Sequence, residues 1–78
     1  MIYKFKIDDW SYSIFNILGD HIHFDVEHDK GTGFRTVIKF DIESKKLDKE
    51  SLSEEGRFNF PPEFRVNVEK YLRLKAFS

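Results

Sequence analysis

The segment from His21 to Glu27 alternates polar and apolar residues, and a Gly-Asp pair stands directly before it. Such alternation is typical of a β-strand with one face in a core, because successive side chains of a strand point to opposite sides. A glycine between two strand-like runs supplies the positive φ that a two-residue hairpin turn requires. We therefore expect this strand to pair with the preceding one through a turn at Gly19 and Asp20.

Three other segments also have the composition of strands, at about residues 2–7, 10–18 and 34–42. A helix is predicted over about residues 62–76, because Pro61-Pro62 suits a helix start and the apolar residues after it form one stripe. The members of that stripe are Phe64, Val68, Tyr71, Leu72 and Ala76. The prediction for residues 1–78 is a single α+β domain, a mainly antiparallel four-stranded meander sheet with the C-terminal helix packed on one face.

The charged connection over residues 43–60 admits two interpretations. Asp48 is a candidate N-cap, and Leu47 and Leu52 flank it at the spacing of a hydrophobic staple. These residues predict a short helix that Gly56 could end, since glycine is common just after a helix. A charged loop is the alternative.

Counting outward from the turn predicts the cross-strand pairs. The expected core pairs are Ile17–Ile22, Phe15–Phe24, Ser13–Val26, Val26–Thr36, Phe24–Ile38 and Ile22–Phe40. The reverse face then pairs His21 with Asp41, His23 with Lys39, Asp25 with Val37 and Glu27 with Arg35. Trp10, Tyr12, Ile14 and Leu18 are expected on that same reverse face. This register predicts that the histidines and their neighbouring carboxylates share one surface.

Composition excludes several classes of function. The 13 basic and 14 acidic residues give a formal net charge of −1, so the chain is not a polycation that binds nucleic acid through uniform phosphate contacts. Without cysteine it has no disulfide, no zinc–thiolate cluster and no thiol nucleophile. No apolar run reaches the length of a membrane span and no signal peptide is recognisable, so we expect a cytoplasmic protein that does not bind membranes.

Catalytic and cofactor chemistry have little support in the sequence. His21, His23 and Asp41 could form a two-histidine, one-carboxylate metal site, but Lys39 opposite His23 would repel a cation. Ser13 falls on the opposite face from His21. Although His28 could approach Ser11 on the core side, no oxyanion-hole element is recognisable. We expect no enzyme activity, no cofactor and no metal, with a metal- or small-ligand-binding protein using the three residues as the alternative.

The aromatic content favours a binding surface instead. Nine Phe, three Tyr and one Trp are more ring surface than a 78-residue interior readily covers. The predicted function is a small protein-binding module, a regulator or inhibitor that acts by direct contact and self-associates as a dimer. Its predicted partner-binding residues are Trp10, Tyr12, Ile14, Leu18, His21, His23, Asp25 and Glu27.

Binding of single-stranded nucleic acid is a second alternative. Its stacking platform would be Tyr3, Phe5, Trp10 and Tyr12, with Lys4 and Lys6 beside them. The acidic residues of the neighbouring strand would repel phosphates, so we expect nucleic acid not to be the partner.

Overall fold

The computed structural model describes residues 2–53 and 58–76. Its five strands are β1 (Tyr3–Ile7), β2 (Trp10–Leu18), β3 (His21–His28), β4 (Gly33–Asp41) and β5 (Lys46–Leu47). They form one antiparallel sheet in the order β1-β2-β3-β4-β5, which curls into a half-barrel. The helices are α1 (Lys49–Ser53) and α2 (Pro62–Tyr71), and α2 continues as a π-helical stretch, Leu72–Ala76. None of the helices in the described ranges is long and apolar enough to cross a membrane.

The sheet has five strands rather than the predicted four because Asp41 folds the chain back after β4. Its side-chain Oδ1 accepts hydrogen bonds from the backbone N–H groups of Glu43 and Ser44, at 2.9 and 3.4 Å. The backbone N–H of Lys45 donates to the Asp41 carbonyl at 2.7 Å, and Lys45 itself has φ of 60°. The returning strand is two residues long, too short for alternation to be visible in the sequence.

The pairing of β2 with β3 contains a β-bulge that the sequence-based register lacked. The turn forms where predicted, with Gly19 at φ 61°, and Ile17 pairs with Ile22. On the N-terminal side of this pair the register shifts between Asn16 and Ile14. Phe15 is left out of the ladder there, and Ile14 pairs with Phe24. The predicted pairing of Phe15 with Phe24 is therefore wrong.

Side chains of a strand alternate with a period of two, so the extra residue at the bulge exchanges the two faces for the part of β2 that precedes it. Residues predicted to point outward there point into the core, and the reverse. Tyr12 pairs with Val26 in place of the predicted Ser13, and Tyr12 and Ile14 are fully buried. Burying these two large side chains in place of Ser13 and Phe15 gains apolar contact with the core, which offsets the disruption of the ladder.

The pairing of β3 with β4 is shifted by two residues from the prediction. Val26 lies opposite Phe34, Phe24 opposite Thr36 and Ile22 opposite Ile38. The intervening loop is tighter than expected, because the N–H of His28 donates to the Thr32 carbonyl at 2.7 Å. A shift of two leaves every side chain on its predicted face but changes every cross-strand partner.

Helix α2 covers the concave side of the sheet, where the core lies. Phe64, Val68 and Leu72 from the predicted stripe are fully buried, whereas Val66 and Leu74 are exposed. The Phe64 ring lies 4.4–5.8 Å, between centroids, from the rings of Phe5, Tyr12, Phe24 and Phe60. The side chain of Ala76, the last member of the predicted stripe, lies outside the description.

The connection before α2 also covers the core. Asp48 caps α1, since its Oδ1 accepts from the N–H of Glu50 at 3.0 Å, so the short helix forms and the loop interpretation is wrong. Leu47, Leu52, Phe58 and Phe60 pack on the core cluster. The predicted end of this helix at Gly56 lies outside the described residues.

Candidate functional site: the open sheet face

The face of the sheet turned away from α2 is the candidate functional site, and we call it the open face. It consists of the β-strand side chains that alternate with the core: Lys4, Lys6, Ser11, Ser13, Phe15, Asn16, Leu18, His21, His23, Asp25, Glu27, Arg35, Val37, Lys39 and Asp41. Apart from Phe15 at the bulge, β2 pairs with β3, and β3 pairs with β4, so the residues of the face are held in rows across the sheet. Helix α1 borders it along the outer edge of β4.

The bulge places an aromatic ring at the centre of this face. The Phe15 ring meets the His23 imidazole edge-on, with centroids 5.7 Å apart. Val37 lies opposite His23 on β4 and is 43% exposed, and Leu18 at the end of β2 is 58% exposed. Together Phe15, Leu18, His23 and Val37 form an apolar patch, a name we keep below.

Charged residues surround the apolar patch. Arg35 donates through Nε to Oδ1 of Asp25 at 2.8 Å, in the row next to the patch. At the hairpin end, Asp20 accepts from His21 Nδ1 at 2.8 Å and lies 3.9 Å from the Lys39 ammonium. Such exposed pairs contribute at most about 1 kcal/mol to folding, so they shape the surface more than they hold the fold together.

A shallow cavity of about 460 Å³ lies at the border between the open face and α1. It is lined by His21, Val37, Lys39, Asp48, Glu50 and Ser51. The cavity exists because α1 is held beside β4 rather than over it: Ser51 Oγ accepts from the N–H of Lys39 at 2.9 Å, and the N–H of Asp48 donates to the Lys39 carbonyl at 2.9 Å. The open face therefore ends in a depression beside Lys39.

The structure places the predicted partner-binding residues on two different faces. Leu18, His21, His23, Asp25 and Glu27 lie on the open face. Trp10, Tyr12 and Ile14 lie on the core face, so their assignment to the histidine face was wrong. Tyr12 and Ile14 have no exposed surface, and Trp10 packs against His28 and Phe58 with ring centroids 4.7 and 4.8 Å away. The bulge is the cause, because it reverses this half of β2.

Three residues of the open face were left out of the predicted binding site: Phe15, which was assigned to the core, and Arg35 and Val37, which were placed on this face but with other cross-strand partners. One signal for Phe15 was present, since Tyr12 and Ile14 are two apart whereas Ile14 and Ile17 are three apart. A spacing of three in an alternating strand indicates an inserted residue. The neighbours of His23 and Asp25 could not be found in this way, because they depend on the length of the loop before β4.

The alternative metal site of His21, His23 and Asp41 does not assemble. Lys39, not Asp41, lies opposite His21, and the Asp41 carboxylate is turned into the bend after β4. The backbone N–H groups of Glu43 and Ser44 hold the pKa of Asp41 below its usual value of 3.8. Among residues 2–53 and 58–76, no three His, Asp or Glu side chains are grouped as metal ligands.

The aromatic platform that nucleic-acid binding would need is covered by α2. Tyr3 stacks on Tyr71 with centroids 4.6 Å apart, and Phe5 lies 5.8 Å from Phe64. These rings stabilise the helix on the sheet and do not form an open stacking surface.

Comparison with known proteins gave no match to a family model, to a curated protein or to a solved structure.

Proposed function

We propose that this protein is a small protein-binding module that regulates or inhibits a partner by direct contact through the open face. The observation that carries the proposal is the position of Phe15. A bulge holds this large ring outside the core against His23, with the exposed Val37 opposite His23 and the exposed Leu18 one row nearer the hairpin on the same face. The core lies on the other face of the sheet, which α2 and the connection before it cover. The residues of the apolar patch are not part of that core cluster.

The arrangement of the open face resembles the anatomy of protein interfaces. Such interfaces concentrate aromatic and aliphatic anchors at their centre and surround them with polar groups that exclude water. Here the apolar patch is the centre, and Asp25, Arg35 and Lys39 belong to the rim. The strands hold the anchors rigidly, so little conformational entropy is lost when a partner binds.

The proposal is tested with a charge placed in the patch. The chain is immobilised and exposed to an extract of the native host, alongside Val37→Glu and a matched control, Val66→Glu. Val66 is 62% exposed on the outer side of α2, so the same substitution there changes charge and hydrophobicity equally. We expect wild type and Val66→Glu to retain the same proteins and Val37→Glu to lose them.

Two results would contradict the proposal: identical retention by Val37→Glu and Val66→Glu, or no retained protein with wild type. Circular dichroism of both variants verifies that the fold is unchanged. A rim substitution adds a kinetic readout. Glu27 lies opposite Gly33, so Glu27→Lys introduces no repulsion across the ladder and should mainly change the association rate with the retained protein.

A further inference from the structure

We infer that the open face is occupied by a second copy of this chain, with a twofold axis running along the strands between β3 and β4. The inference rests on the proposed function, because it requires that the open face bind protein. Two independent features of the face support it: the order of its charges and the position of the cavity beside α1.

The charges of β3 and β4 are complementary under this symmetry. On the open face β3 carries Asp25 and Glu27, whereas β4 carries Arg35 and Lys39. A twofold axis parallel to the strands lays β3 of one copy over β4 of the other and keeps each residue at its height along the strand. Because Asp25 and Arg35 share a row, Asp25 of each copy then lies over Arg35 of the other.

The same operation brings the apolar residues together. His23 and Val37 also share a row, so each imidazole lies over the valine of the second copy. Because the open face is the convex side of the curled sheet, the two copies approach each other most closely along β3 and β4, where side chains from both faces fill a gap of about 10 Å. His23 and Val37 of the apolar patch are thereby covered, while Glu27 lies over Gly33 and Lys39 over His21 of the second copy, where no like charges meet.

The cavity receives the remaining exposed anchor. Leu18 shares a row with His21 and Lys39, one strand from the axis on the β2 side. The twofold axis places Leu18 of one copy just outside β4 of the other copy, next to that copy's Lys39. The cavity between the open face and α1 lies at this position. Leu18 is 58% exposed in the single chain and would be covered there.

The overlap places this interface among weak, transient contacts. With the axis between β3 and β4 it spans β2, β3, β4 and the edge beside α1, four spacings of about 4.8 Å and about eight residues, or at most about 500 Å² per copy. Two copies therefore bury at most about 1,000 Å², so we expect a dissociation constant no tighter than micromolar. The net charge of −1 gives little long-range repulsion between copies.

Charge reversal tests the inference. In Arg35→Asp, acidic residues of the two copies face each other, and in Asp25→Arg, basic residues do. We expect each variant alone to dimerise at least about tenfold more weakly than wild type, because like charges are juxtaposed. In an equimolar mixture every reversed residue faces an opposite charge, so a heterodimer should form. Sedimentation equilibrium from low micromolar to submillimolar concentration measures all four samples.

Controls separate this inference from the proposed function. Lys70→Asp, on the exposed side of α2, should leave dimerisation unchanged, and circular dichroism shows whether the reversal variants fold. A wild-type chain that stays monomeric throughout, or a mixture that does not associate, would overturn the second copy as occupant. If Val37→Glu still loses its retained proteins in that case, the open face binds a different protein and the proposed function stands.

Discussion

The guanidinium carbon of Arg35 lies 4.8 Å from the centre of the Phe15 ring, while its Nε donates to Asp25. A contact of this kind contributes about 0.5–1 kcal/mol at an exposed site. It forms because the bulge carries Phe15 to the open face, in the direction of β3 and β4. Arg35 therefore favours one orientation of the ring on the open face.

Truncating two phenylalanines of neighbouring strands should separate core from surface. Phe24 is fully buried, so Phe24→Ala should lower the free energy of unfolding by about 3–5 kcal/mol. Phe15→Ala removes one ring contact and one cation–π contact on the open face, and should lower it by about 1 kcal/mol. Urea denaturation followed by circular dichroism measures both. Equal losses would show that Phe15 belongs to the core.

Deleting single residues of β2 should reveal the bulge directly. Removing Phe15 leaves Tyr12, Ile14 and Ile17 in simple alternation, so the shortened strand keeps all three in the core. We expect this deletion to retain a cooperative thermal transition. Removing Ser13 also takes out the excess residue, but it turns Ile14 outward and forces Phe15 into its place in the core, so we expect a cooperative transition at a lower temperature. A Phe15 deletion that is less stable than the Ser13 deletion would contradict the bulge.

Glu69 should contribute to stability as a hydrogen-bond acceptor. Its Oε2 accepts from the backbone N–H of Leu47 at 2.8 Å and from Arg65 Nε at 3.0 Å, and the residue is 9% exposed. Glu69→Ala leaves the Leu47 N–H without its acceptor, and should lower the free energy of unfolding by about 1–3 kcal/mol.

The matched control is Glu69→Gln, which keeps an oxygen for Leu47 and removes only the ion pair with Arg65. A helical pair with i,i+4 spacing contributes about 0.3–0.5 kcal/mol, so this variant should be much the milder of the two. Chemical denaturation of both measures the difference. A loss for Glu69→Gln as large as that for Glu69→Ala would mean that charge, not the hydrogen bond, is responsible.

Tyr12 should make stability sensitive to alkaline pH. Burial raises the pKa of its hydroxyl above 10.0, and the negative charges of Asp8 and Glu63 raise this pKa further. Since the folded-state pKa is above the unfolded one, the stabilising contribution is present below pH 10.0 and is lost as pH rises through the folded-state pKa.

The variant Tyr12→Phe removes that titration, so its alkaline unfolding should begin at a higher pH than in wild type. Tyrosinate absorbs in the ultraviolet, so its absorbance is measured against pH for wild type and for the variant. The difference between the two curves reports the ionisation of Tyr12 alone. We expect this difference to titrate above pH 10.0. A midpoint at or below that value would show that the hydroxyl is not held in the apolar interior.

Local patterns were sufficient to predict the antiparallel sheet, the hairpin and the C-terminal helix. Alternation in β3 and the glycine turn act over a few residues, so they can be recognised without knowing what covers the strand. The stripe on α2 is equally local, and its residues Phe64, Val68 and Leu72 are buried as their spacing indicates. For the same reason His21, His23, Asp25 and Glu27 could be placed on one surface.

The face of β2 was decided only by tertiary structure. Its sequence has large apolar residues in both phases of the alternation, so either phase could be buried. Packing against Phe64 and Phe58 selects Tyr12 over Ser13, and the fixed hairpin at Gly19 forces the excess residue out as a bulge. The pairs across β3 and β4 depended likewise on the loop closed by His28 and Thr32.

The sequence by itself determined which residues of β3 share a surface, because side-chain alternation is a property of each strand alone. Only the tertiary structure decided what lies beside them. The bulge brings Phe15 to the open face, and the loop closure sets Arg35 opposite Asp25 and Val37 opposite His23; both are selected by the burial of residues distant in the chain. How deeply a side chain is buried depends on contacts from several elements that are distant in the chain, so a local sequence pattern does not reveal it.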